Sequence, residues 1–433
     1  LREAATADRA LARGEARSAL LGVPYGVKDL LAARGATTTW GAATYRDRVL
    51  RYDATAVSKL HRAGAVLAAK LAMVELAGGG GYRYPSASLQ GPGRNPWDTG
   101  RWSGGSSSGS GAAVAAGLVP FALGSETSGS IGTPAAYCGV TGLRPTYGAV
   151  SRHGAMALSW TLDKIGPLAR SAADCGIVLE AIAGPDPKDP TTAGKRFRRL
   201  AADAAAEALR EVRIGYAGEE IEHAAGPEAR EALLRGVDEV RRLFPRFVEG
   251  RLPEDIPYGP MVVTVYAAEG ATVFAELMEE ESARFDLMPD EKQKAGLRAA
   301  LEIKARDYLR AMRLRSVLAA RMRELYQGCD VILSAGRNVT ATPIDQPLDA
   351  PAPSTPNAEA PDRRPGNAGL IPAGNLAGLP AVFFPCGLGT NGLPVGLQLV
   401  GPAFSEPLLL ALVEAYQRET GHHLRRPPVA GAA

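Results

Sequence analysis

The chain contains few of the residues from which metal sites and disulfide frameworks are built. Its four cysteines are scattered through 433 residues, and no pair shows the C-x-x-C spacing of zinc and redox motifs. The five histidines include the neighbours His422 and His423, which cannot bind one metal from positions i and i+4 of a helix. We therefore predict no metal site, and a reducing, cytoplasmic environment for the free thiols.

Long apolar runs and blocks of like charge are also missing. No apolar stretch approaches the ~18 residues that a membrane-spanning helix needs. The 49 basic and 46 acidic residues leave a formal net charge of +3, and short basic clusters such as 195–199 are typical of solvated helix faces. These absences argue against a membrane or a nucleic acid as partner and favour a small-molecule substrate. The oligomeric state is left open between a monomer and a homodimer.

Strand-like and helix-like segments alternate along the chain, which indicates an α/β layered fold. Residues 23–28 form a predicted strand, and 65–69 a predicted buried strand. Between them lies a predicted helix that Asp53 caps and Gly64 ends. Residues 171–182 form a further predicted helix, with Ser171 as N-cap and an acidic residue three positions later.

The character of the chain changes between residues 196 and 330, where charged amphipathic helices dominate. The strongest periodicities predict helices over 228–243 and 297–326. Residues 343–365 hold seven prolines and little hydrophobicity, which predicts a long loop. We interpret 1–433 as a single domain in which the helical region and the Pro-rich loop shape the mouth of the site.

The first segment suited to catalysis is the Gly/Ser-rich run 104–111, which precedes small helical residues at 112–116. Such a run forms either a flexible linker or an anion-binding loop at a helix N-terminus. The Gly-Lys-Ser/Thr ending of a phosphate-binding loop is missing, which weighs against nucleotide binding.

The second segment, residues 123–134, follows a strand-like run and is dense in Gly, Ser and Thr. A serine on such a tight turn, beside free N–H groups, has the geometry of an acyl-transfer nucleophile with its oxyanion hole. The alternative is an ordinary tight turn, and the Gly-x-Ser-x-Gly elbow of the α/β-hydrolases is not present.

The third segment is 22–31, where Lys28 lies among apolar residues on a predicted strand. Most lysines are exposed, but the neighbours Val27 and Leu30 favour partial burial here. Burial lowers the pKa of an ammonium group, and a neutral amine near pH 7 can act as a base.

Taken together, these segments resemble the amidase signature family. The Gly/Ser-rich core of that family is matched from 101 to 145, its lysine strand at 22–31, and its C-terminal patterns at 378–382 and 391–401. The resemblance covers most of the chain, with 190–330 matched weakly. It implies one α/β domain whose large mixed sheet is covered on both faces by helices.

The resemblance also implies a Ser–cisSer–Lys triad. Lys28 falls on the base, Ser106 on the relay serine, and Ser130, 24 positions further on, on the nucleophile. A cis peptide between Gly105 and Ser106 would direct the relay hydroxyl between the other two groups. Lys28 would take a proton from Ser106, which takes one from Ser130 as Ser130 attacks the carbonyl and forms an acyl-enzyme.

Further residues of the site follow from the same resemblance. Ser107 is expected to support the relay by hydrogen bonding, and Glu126 occupies the position of a family carboxylate. No metal or cofactor is implied. Segment 73–84 is expected to line the acyl site. The oxyanion would be held by the backbone N–H groups of Thr127, Ser128, Gly129 and Ser130.

The chain departs from the family around its nucleophile. The family commonly has Asp-x-Gly-Gly-Ser-Ile-Arg, whereas here Glu126 replaces the aspartate, Ser128 a glycine and Gly132 the arginine. A buried carboxylate on the substrate would need a bidentate partner such as the missing arginine. We therefore predict that the substrates are neutral, fairly hydrophobic amides.

Several alternatives stay open at this point. The same triad serves carbamate (urethane) and ester hydrolysis, which the sequence does not rank against amide hydrolysis. The glutaminase subunit of a tRNA-dependent amidotransferase shares this core and would need a partner protein. A catalytically inactive binding protein on the same scaffold, and a nitrilase-like mechanism through Cys386, are the remaining hypotheses.

Overall fold

The computed structural model describes residues 1–16, 18–223, 225–280, 288–349 and 369–431. Within these ranges, ten of the strands form one mixed sheet and β3 and β4 form a separate hairpin. The strands are β1 (Pro24–Lys28), β2 (Val66–Leu71), β3 (Arg94–Asn95), β4 (Asp98–Trp102), β5 (Phe121–Glu126), β6 (Thr141–Arg144), β7 (Lys164–Ala169), β8 (Ile214–Tyr216), β9 (Phe247–Glu249), β10 (Val331–Ala335), β11 (Ala381–Leu388) and β12 (Pro394–Val400).

The order of strands in the large sheet is β2-β1-β5-β7-β6-β11-β12-β10-β8-β9. Pairing is parallel near both edges of the sheet: β2 pairs with β1, β1 with β5, β10 with β8, and β8 with β9. From β5 to β10 the pairs are antiparallel. The predicted large mixed sheet is therefore confirmed.

Helices cover both faces of this sheet. They are α1 (Arg2–Ala12), α2 (Thr55–Arg62), α3 (Ser108–Ala115), α4 (Gly132–Cys138), α5 (Ala172–Ile182), α6 (Ala202–Glu211), α7 (Glu219–Glu222), α8 (Pro227–Leu243), α9 (Tyr258–Val273), α10 (Ala275–Glu280), α11 (Glu291–Ala300), α12 (Ala305–Gly328), α13 (Leu370–Leu376) and α14 (Glu406–Thr420).

Side chains of one strand enter two separate core layers, because successive residues of a strand point to opposite faces. Val382 and Phe384 of β11 pack in the layer with α2, α5, α8 and α14. Ala381 and Phe383 pack in the layer with α3, α4, α9, α12 and α13. Every residue from Ala381 to Cys386 is buried, as expected for a strand with helices on both faces.

Some local predictions are confirmed and others are wrong. Ser171 caps α5 as predicted, and its hydroxyl accepts a hydrogen bond from the N–H of Asp174 at 3.1 Å. Asp53 does not cap α2, because its carboxylate accepts from the N–H of Arg34 at 2.7 Å, and Ala54 is the N-cap residue.

The remaining differences concern burial and helix length. β2 is the edge strand of the sheet and is only half-buried, since it has a neighbour on one side. The helix predicted over 297–326 is interrupted between Ala300 and Ala305. The predicted Pro-rich loop lies outside the described residues from 350 onward. No helix in the described part of the chain combines the length and apolar character needed to cross a bilayer.

Candidate active site

The amine of Lys28 lies in a buried cluster of hydroxyl groups. Lys28 is the last residue of β1, which runs between β2 and β5 near one edge of the sheet. Its Nζ donates hydrogen bonds to the Oγ atoms of Ser106, at 2.7 Å, and Ser125, at 3.0 Å. Lys28 has no exposed surface, and the peptide bond between Gly105 and Ser106 is cis. The structure thus brings the predicted base and relay into contact and adds Ser125, which the sequence analysis missed.

Ser130 occupies the tight turn 127–130 between β5 and α4. The main chains of the two serine segments are joined, because the N–H of Ser107 donates to the carbonyl of Ser130 at 3.3 Å. Gly129 has a φ of +86°, whereas Ser128 is not among the residues with positive φ. The turn therefore accommodates a side chain at 128, the position at which the family commonly has glycine.

The N–H groups of this turn are free to bind a ligand. No hydrogen bond among the described residues uses the N–H of Thr127, Ser128, Gly129 or Ser130. The Ser130 hydroxyl likewise has no hydrogen-bond partner within the described ranges, and its residue is only partly buried. A partly open hydroxyl beside several free N–H groups is the arrangement that acyl transfer requires.

A buried carboxylate holds the far end of this turn. Glu126 Oε2 accepts from the N–H groups of Ile131 and Gly132 at 2.8 and 2.9 Å. Its Oε1 accepts from Arg144 and from the Asn375 amide, both at 2.9 Å. Burial alone would raise the pKa of Glu126, but the Arg144 charge and these hydrogen bonds outweigh it and lower the pKa to about 2. Glu126 therefore stays ionised and orients the start of α4.

A second buried lysine completes this network. Lys164 pairs with Glu126 in the register of β5 and β7, and its Nζ donates to the Oδ1 of Asn375 at 2.6 Å. Burial, together with the nearby charge of Arg144, lowers the pKa of Lys164 well below its usual value. Neither Lys164 nor Asn375 was predicted, because the contact joins segments that are far apart in the chain.

Ser107 binds the main chain of Ser125. Its hydroxyl donates to the carbonyl of Ser125 at 3.2 Å and accepts from the N–H of Ser125 at 3.3 Å. The sequence predicted that Ser107 supports the relay by hydrogen bonding. The contact in the structure fixes the main chain of Ser125, whose side chain contacts Lys28.

Burial determines the acid–base character of Lys28. It lowers the pKa of the amine to about 7, while the charges of Asp163 and Glu126 partly oppose the shift. An amine with this pKa is substantially neutral at physiological pH and can accept a proton.

A cavity of about 220 Å³ adjoins this cluster on the side of Ser125 and Thr127. Its wall includes the apolar side chains of Leu30, Ala77, Met156, Leu158, Trp160 and Ile165. Ala77 belongs to the segment 73–84 that was expected to line the acyl site. Neither Ser130 nor Lys28 is among the lining residues, so the cavity adjoins the site at Ser125 and Thr127.

Comparisons with known proteins agree with this geometry. The family model described as Amidase matches residues 1–410. The chain belongs to the amidase family. It is 37% identical over 447 aligned positions to a glutamyl-tRNA(Gln) amidotransferase subunit from Roseiflexus sp. (strain RS-1), and the match covers 98% of this chain and 88% of the relative.

Two solved structures share the fold of this amidase. One belongs to a vestigial protein complex that reveals the evolutionary origins of an s-triazine catabolic enzyme. It has a TM-score of 0.84 and 32% identity, and the match covers 97% of this chain and 88% of that one. The other is the native peptide amidase of Stenotrophomonas maltophilia, with a TM-score of 0.81, 31% identity and coverages of 99% and 88%. The amidase is thus a hydrolase-family enzyme that acts on C–N bonds.

The position of the missing family arginine is filled in this amidase. A Cβ atom placed on Gly132 would lie 2.4 Å from the Cε1 and Cζ atoms of Phe383. Phe383 is fully buried on β11, so its ring cannot easily move aside. The aromatic ring therefore leaves no room for a guanidinium side chain at this position.

The helical region contacts the site of the amidase through a buried carboxylate. Glu269 of α9 accepts hydrogen bonds from the hydroxyls of Ser159 and Thr161 and from the N–H of Thr161. Tyr308 of α12 donates to the same carboxylate at 2.8 Å. The loop that leads into β7 is therefore held by helices of the 196–330 region.

The four cysteines are buried, and none is in a disulfide. Burial raises the pKa of the Cys386 thiol, which lies on β11 with its Sγ 3.7 Å from the carbonyl of Val395. A raised pKa disfavours the thiolate that a cysteine nucleophile needs. No group of three His, Cys, Asp or Glu side chains in the described ranges is placed to hold a metal ion.

Proposed function

We propose that this amidase hydrolyses amide C–N bonds through an acyl-enzyme on Ser130, with Ser106 as proton relay and Lys28 as base. The observation that carries the proposal is the 2.7 Å contact between Lys28 Nζ and Ser106 Oγ, since both of these residues are buried. A neutral amine at this position accepts a proton from Ser106, which needs a replacement proton from its other side.

The replacement proton comes from Ser130. As the Ser130 oxygen attacks the carbonyl carbon, its proton passes to Ser106 and the Ser106 proton passes to Lys28. The relay then returns a proton to the departing nitrogen, the C–N bond breaks and the acyl group stays on Ser130. Water adds to the acyl-enzyme by the same route and releases the acid.

The negative charge that develops on the carbonyl oxygen is stabilised by the turn 127–130. Its four N–H groups have no other acceptor among the described residues. One preorganised donor of this kind is worth about 3–4 kcal/mol in the transition state. Glu126 supports the turn, because its carboxylate holds the two N–H groups that follow Ser130.

We propose a neutral, fairly hydrophobic amide as substrate, with carbamates and esters as further substrates of the same residues. Two observations support this choice. Apolar side chains form part of the wall of the cavity beside Ser125, which Arg152, Lys188, Asp163 and Asp189 also line, and the ring of Phe383 leaves no room for an arginine side chain at position 132.

A second candidate is the glutaminase subunit of a tRNA-dependent amidotransferase. It is favoured by the relatives of that description, of which the one from Aromatoleum aromaticum is 38% identical over 99% of this chain. This candidate predicts glutamine hydrolysis and a stable complex with another protein. Its chemistry at Ser130 would be the same, and only the acyl group and the fate of the ammonia differ.

The first experiment is active-site labelling with a fluorophosphonate followed by intact-mass and peptide analysis. We expect one adduct on Ser130 that Ser130→Ala abolishes. A wild-type protein without an adduct would instead indicate a binding protein on this scaffold.

A substrate panel then separates the candidates. Aryl and aliphatic amides, carbamates and esters are compared with glutamine, in the presence and absence of proteins that co-elute with the chain. Turnover confined to glutamine would contradict the proposal of a hydrophobic amide and support the glutaminase candidate.

A further inference from the structure

The carboxylate of Asp163 has a place in the site that the proposed mechanism does not use. Asp163 immediately precedes β7 and lines the cavity beside Ser125. Its Oδ1 accepts a hydrogen bond from the hydroxyl of Thr127 at 2.6 Å. Thr127 is buried and is the first residue of the turn that leads to Ser130. The two residues are 36 positions apart, so only the pairing of β5 with β7 brings them together.

The other carboxylate oxygen of Asp163 is held by main-chain donors. Oδ2 accepts from the N–H groups of Leu158 and Ser159 at 2.8 and 2.9 Å. Ser159 is held in turn by Glu269 of α9. Because the carboxylate is held by two main-chain donors from one side, it offers a fixed acceptor to the Thr127 hydroxyl on the other.

The turn 127–130 is consequently anchored at both ends. Glu126 binds the N–H groups of Ile131 and Gly132 after the turn, and Asp163 binds the Thr127 side chain at its start. An oxyanion hole works only when its donors are held at the place where the charge develops. We infer that Asp163 is a positioning residue that holds the oxyanion turn in its productive geometry through the Thr127 hydroxyl. This inference rests on the proposed function of Ser130.

The charge of Asp163 has a second consequence at Lys28. Among the described residues, the charges of Asp163 and Glu126 raise the pKa of the Lys28 amine against the larger effect of burial. Replacing Asp163 by a neutral residue therefore lowers the pKa of Lys28, because a nearby negative charge favours the ammonium form. A residue that acted only on the stability of the fold would not change this pKa.

The experiment measures the rate at which a fluorophosphonate labels Ser130, since this rate needs no known substrate. We expect Thr127→Val and Asp163→Asn each to lower the rate roughly 10- to 100-fold, the scale of a misplaced catalytic group. Thr127→Ser keeps the hydroxyl and should stay within roughly threefold of the wild type. The double variant Thr127→Val/Asp163→Asn should be no slower than the slower single variant, because residues that act through one contact are not additive.

The pH profile of labelling gives an independent readout. The labelling rate is expected to fall on the acid side as Lys28 becomes protonated. Asp163→Asn should shift this fall in rate to lower pH, whereas Thr127→Val should leave its pH unchanged. Glu406→Gln is the matched control: burial raises the pKa of the Glu406 carboxylate, as it raises that of Asp163, and Glu406 accepts from the N–H of Thr146 at 2.7 Å. Glu406→Gln should leave unchanged both the labelling rate and the pH at which that rate falls.

The outcomes separate the inference from the proposed function. Labelling of wild-type Ser130 with an unchanged rate in Thr127→Val, or with full additivity in the double variant, would overturn the inference and keep the proposed function. A wild-type protein that is not labelled on Ser130 would overturn the proposed function itself. Thr127→Val and Thr127→Ser decide the inference even where Asp163→Asn does not fold, since both threonine replacements are close in volume to the original side chain.

Discussion

Lys28 and Ser106 are joined by a 2.7 Å hydrogen bond although 78 positions separate them in the chain. The lysine has no contact with solvent, and a buried ammonium is costly. The residue that we propose as the base is therefore also one whose charged form the folded state tolerates poorly. This opposition between reactivity and stability leads to the first prediction.

Lys28→Met should abolish activity and increase the stability of the fold. The pKa of Lys28 is lowered to about 7 in the folded state, so the unfolded state binds the proton more readily. Stability therefore rises with pH from about 7 to the usual lysine pKa near 10.4, and the lysine destabilises the fold below that range. We expect an increase in the free energy of unfolding at pH 7, because a methionine fills a similar volume without the cost of a buried charge.

The matched control for this prediction is Lys70→Met. Lys70 forms an ion pair with the buried carboxylate of Asp29 at 2.9 Å, so its removal leaves a charge unpaired and should destabilise the protein. Urea unfolding measures the change in the free energy of unfolding for both variants, and the two changes should have opposite signs. A Lys28→Met protein that is as destabilised as Lys70→Met would contradict the first prediction.

Activity should fall as the pH decreases through about 7. Lys28 must be neutral to accept a proton, and its folded-state pKa of about 7 sets the acid limb. Glu126 has a pKa of about 2, so it stays ionised between pH 5 and 9 and causes no change in rate there. The measurement is the labelling rate of Ser130 across that range, and a rate that still increases tenfold per pH unit up to pH 9 would exclude a neutral resting lysine.

Arg144→Met should strongly destabilise the protein at neutral pH. Arg144 and Glu126 form an ion pair with no exposed side-chain surface, and removal of one buried partner typically costs about 3–5 kcal/mol. The folded-state pKa of Glu126 lies below its unfolded value near 4.3, so its contribution to stability is present above that pH and lost as the pH falls toward 2.

Urea unfolding at several pH values tests this account. The difference in the free energy of unfolding between wild type and Arg144→Met should shrink as the pH is lowered from about 4.3 toward 2, because the stabilising contribution of ionised Glu126 in the wild type is lost in that range. The double variant Glu126→Gln/Arg144→Met should recover part of the stability. A pH-independent difference would mean that the loss comes from packing and not from the charge pair.

Gly132→Ala should destabilise the protein, because the added Cβ would lie 2.4 Å from two atoms of the buried Phe383 ring. Overpacking of this kind costs about 1–3 kcal/mol. Gly328→Ala is the control: it is the last residue of α12, no atom comes within 4 Å of its added Cβ, and the change should stabilise the protein by about 0.4–1 kcal/mol because it restricts the unfolded chain. Thermal melting measures the Tm of both variants, and we expect the two Tm values to shift in opposite directions.

Cys386→Ala should keep the activity. The Cys386 thiol is buried, and burial raises its pKa away from the thiolate form. We expect the labelling rate of Ser130 to stay within roughly twofold of the wild type, with a loss of stability from the small cavity. Loss of Ser130 labelling in a folded Cys386→Ala protein would contradict this prediction and favour a mechanism in which Cys386 is the nucleophile.

Local patterns predicted the elements that depend on neighbours in the chain. The cap of α5 by Ser171 is one case, since the donor at Asp174 lies three positions away. The N-terminus of α2 is the opposite case. Asp53 had the right residue type for a cap, but the N–H of Arg34 attracts its carboxylate, and no local pattern contains that contact.

Some residues around Ser130 could likewise be predicted from the sequence, and others could not. The family pattern in the sequence led to Lys28, Ser106 and Ser130, and Glu126 was identified as a supporting carboxylate. Asn375, which binds Glu126 from 249 positions away, carried no signal of its own. Its place depends on the order of strands in the sheet, which is determined by the burial of many apolar side chains together.

The sequence by itself determined the alternation of strands and helices, the candidate catalytic side chains and the small residues that let the turn before α4 form. These follow from hydrogen bonding and side-chain size over a few residues. Only the tertiary structure decided that Ser125 contacts Lys28, that Asp163 holds Thr127 and that Phe383 fills the space beside Gly132. Such contacts join distant segments, so they exist only once the sheet has assembled and excluded water from the site.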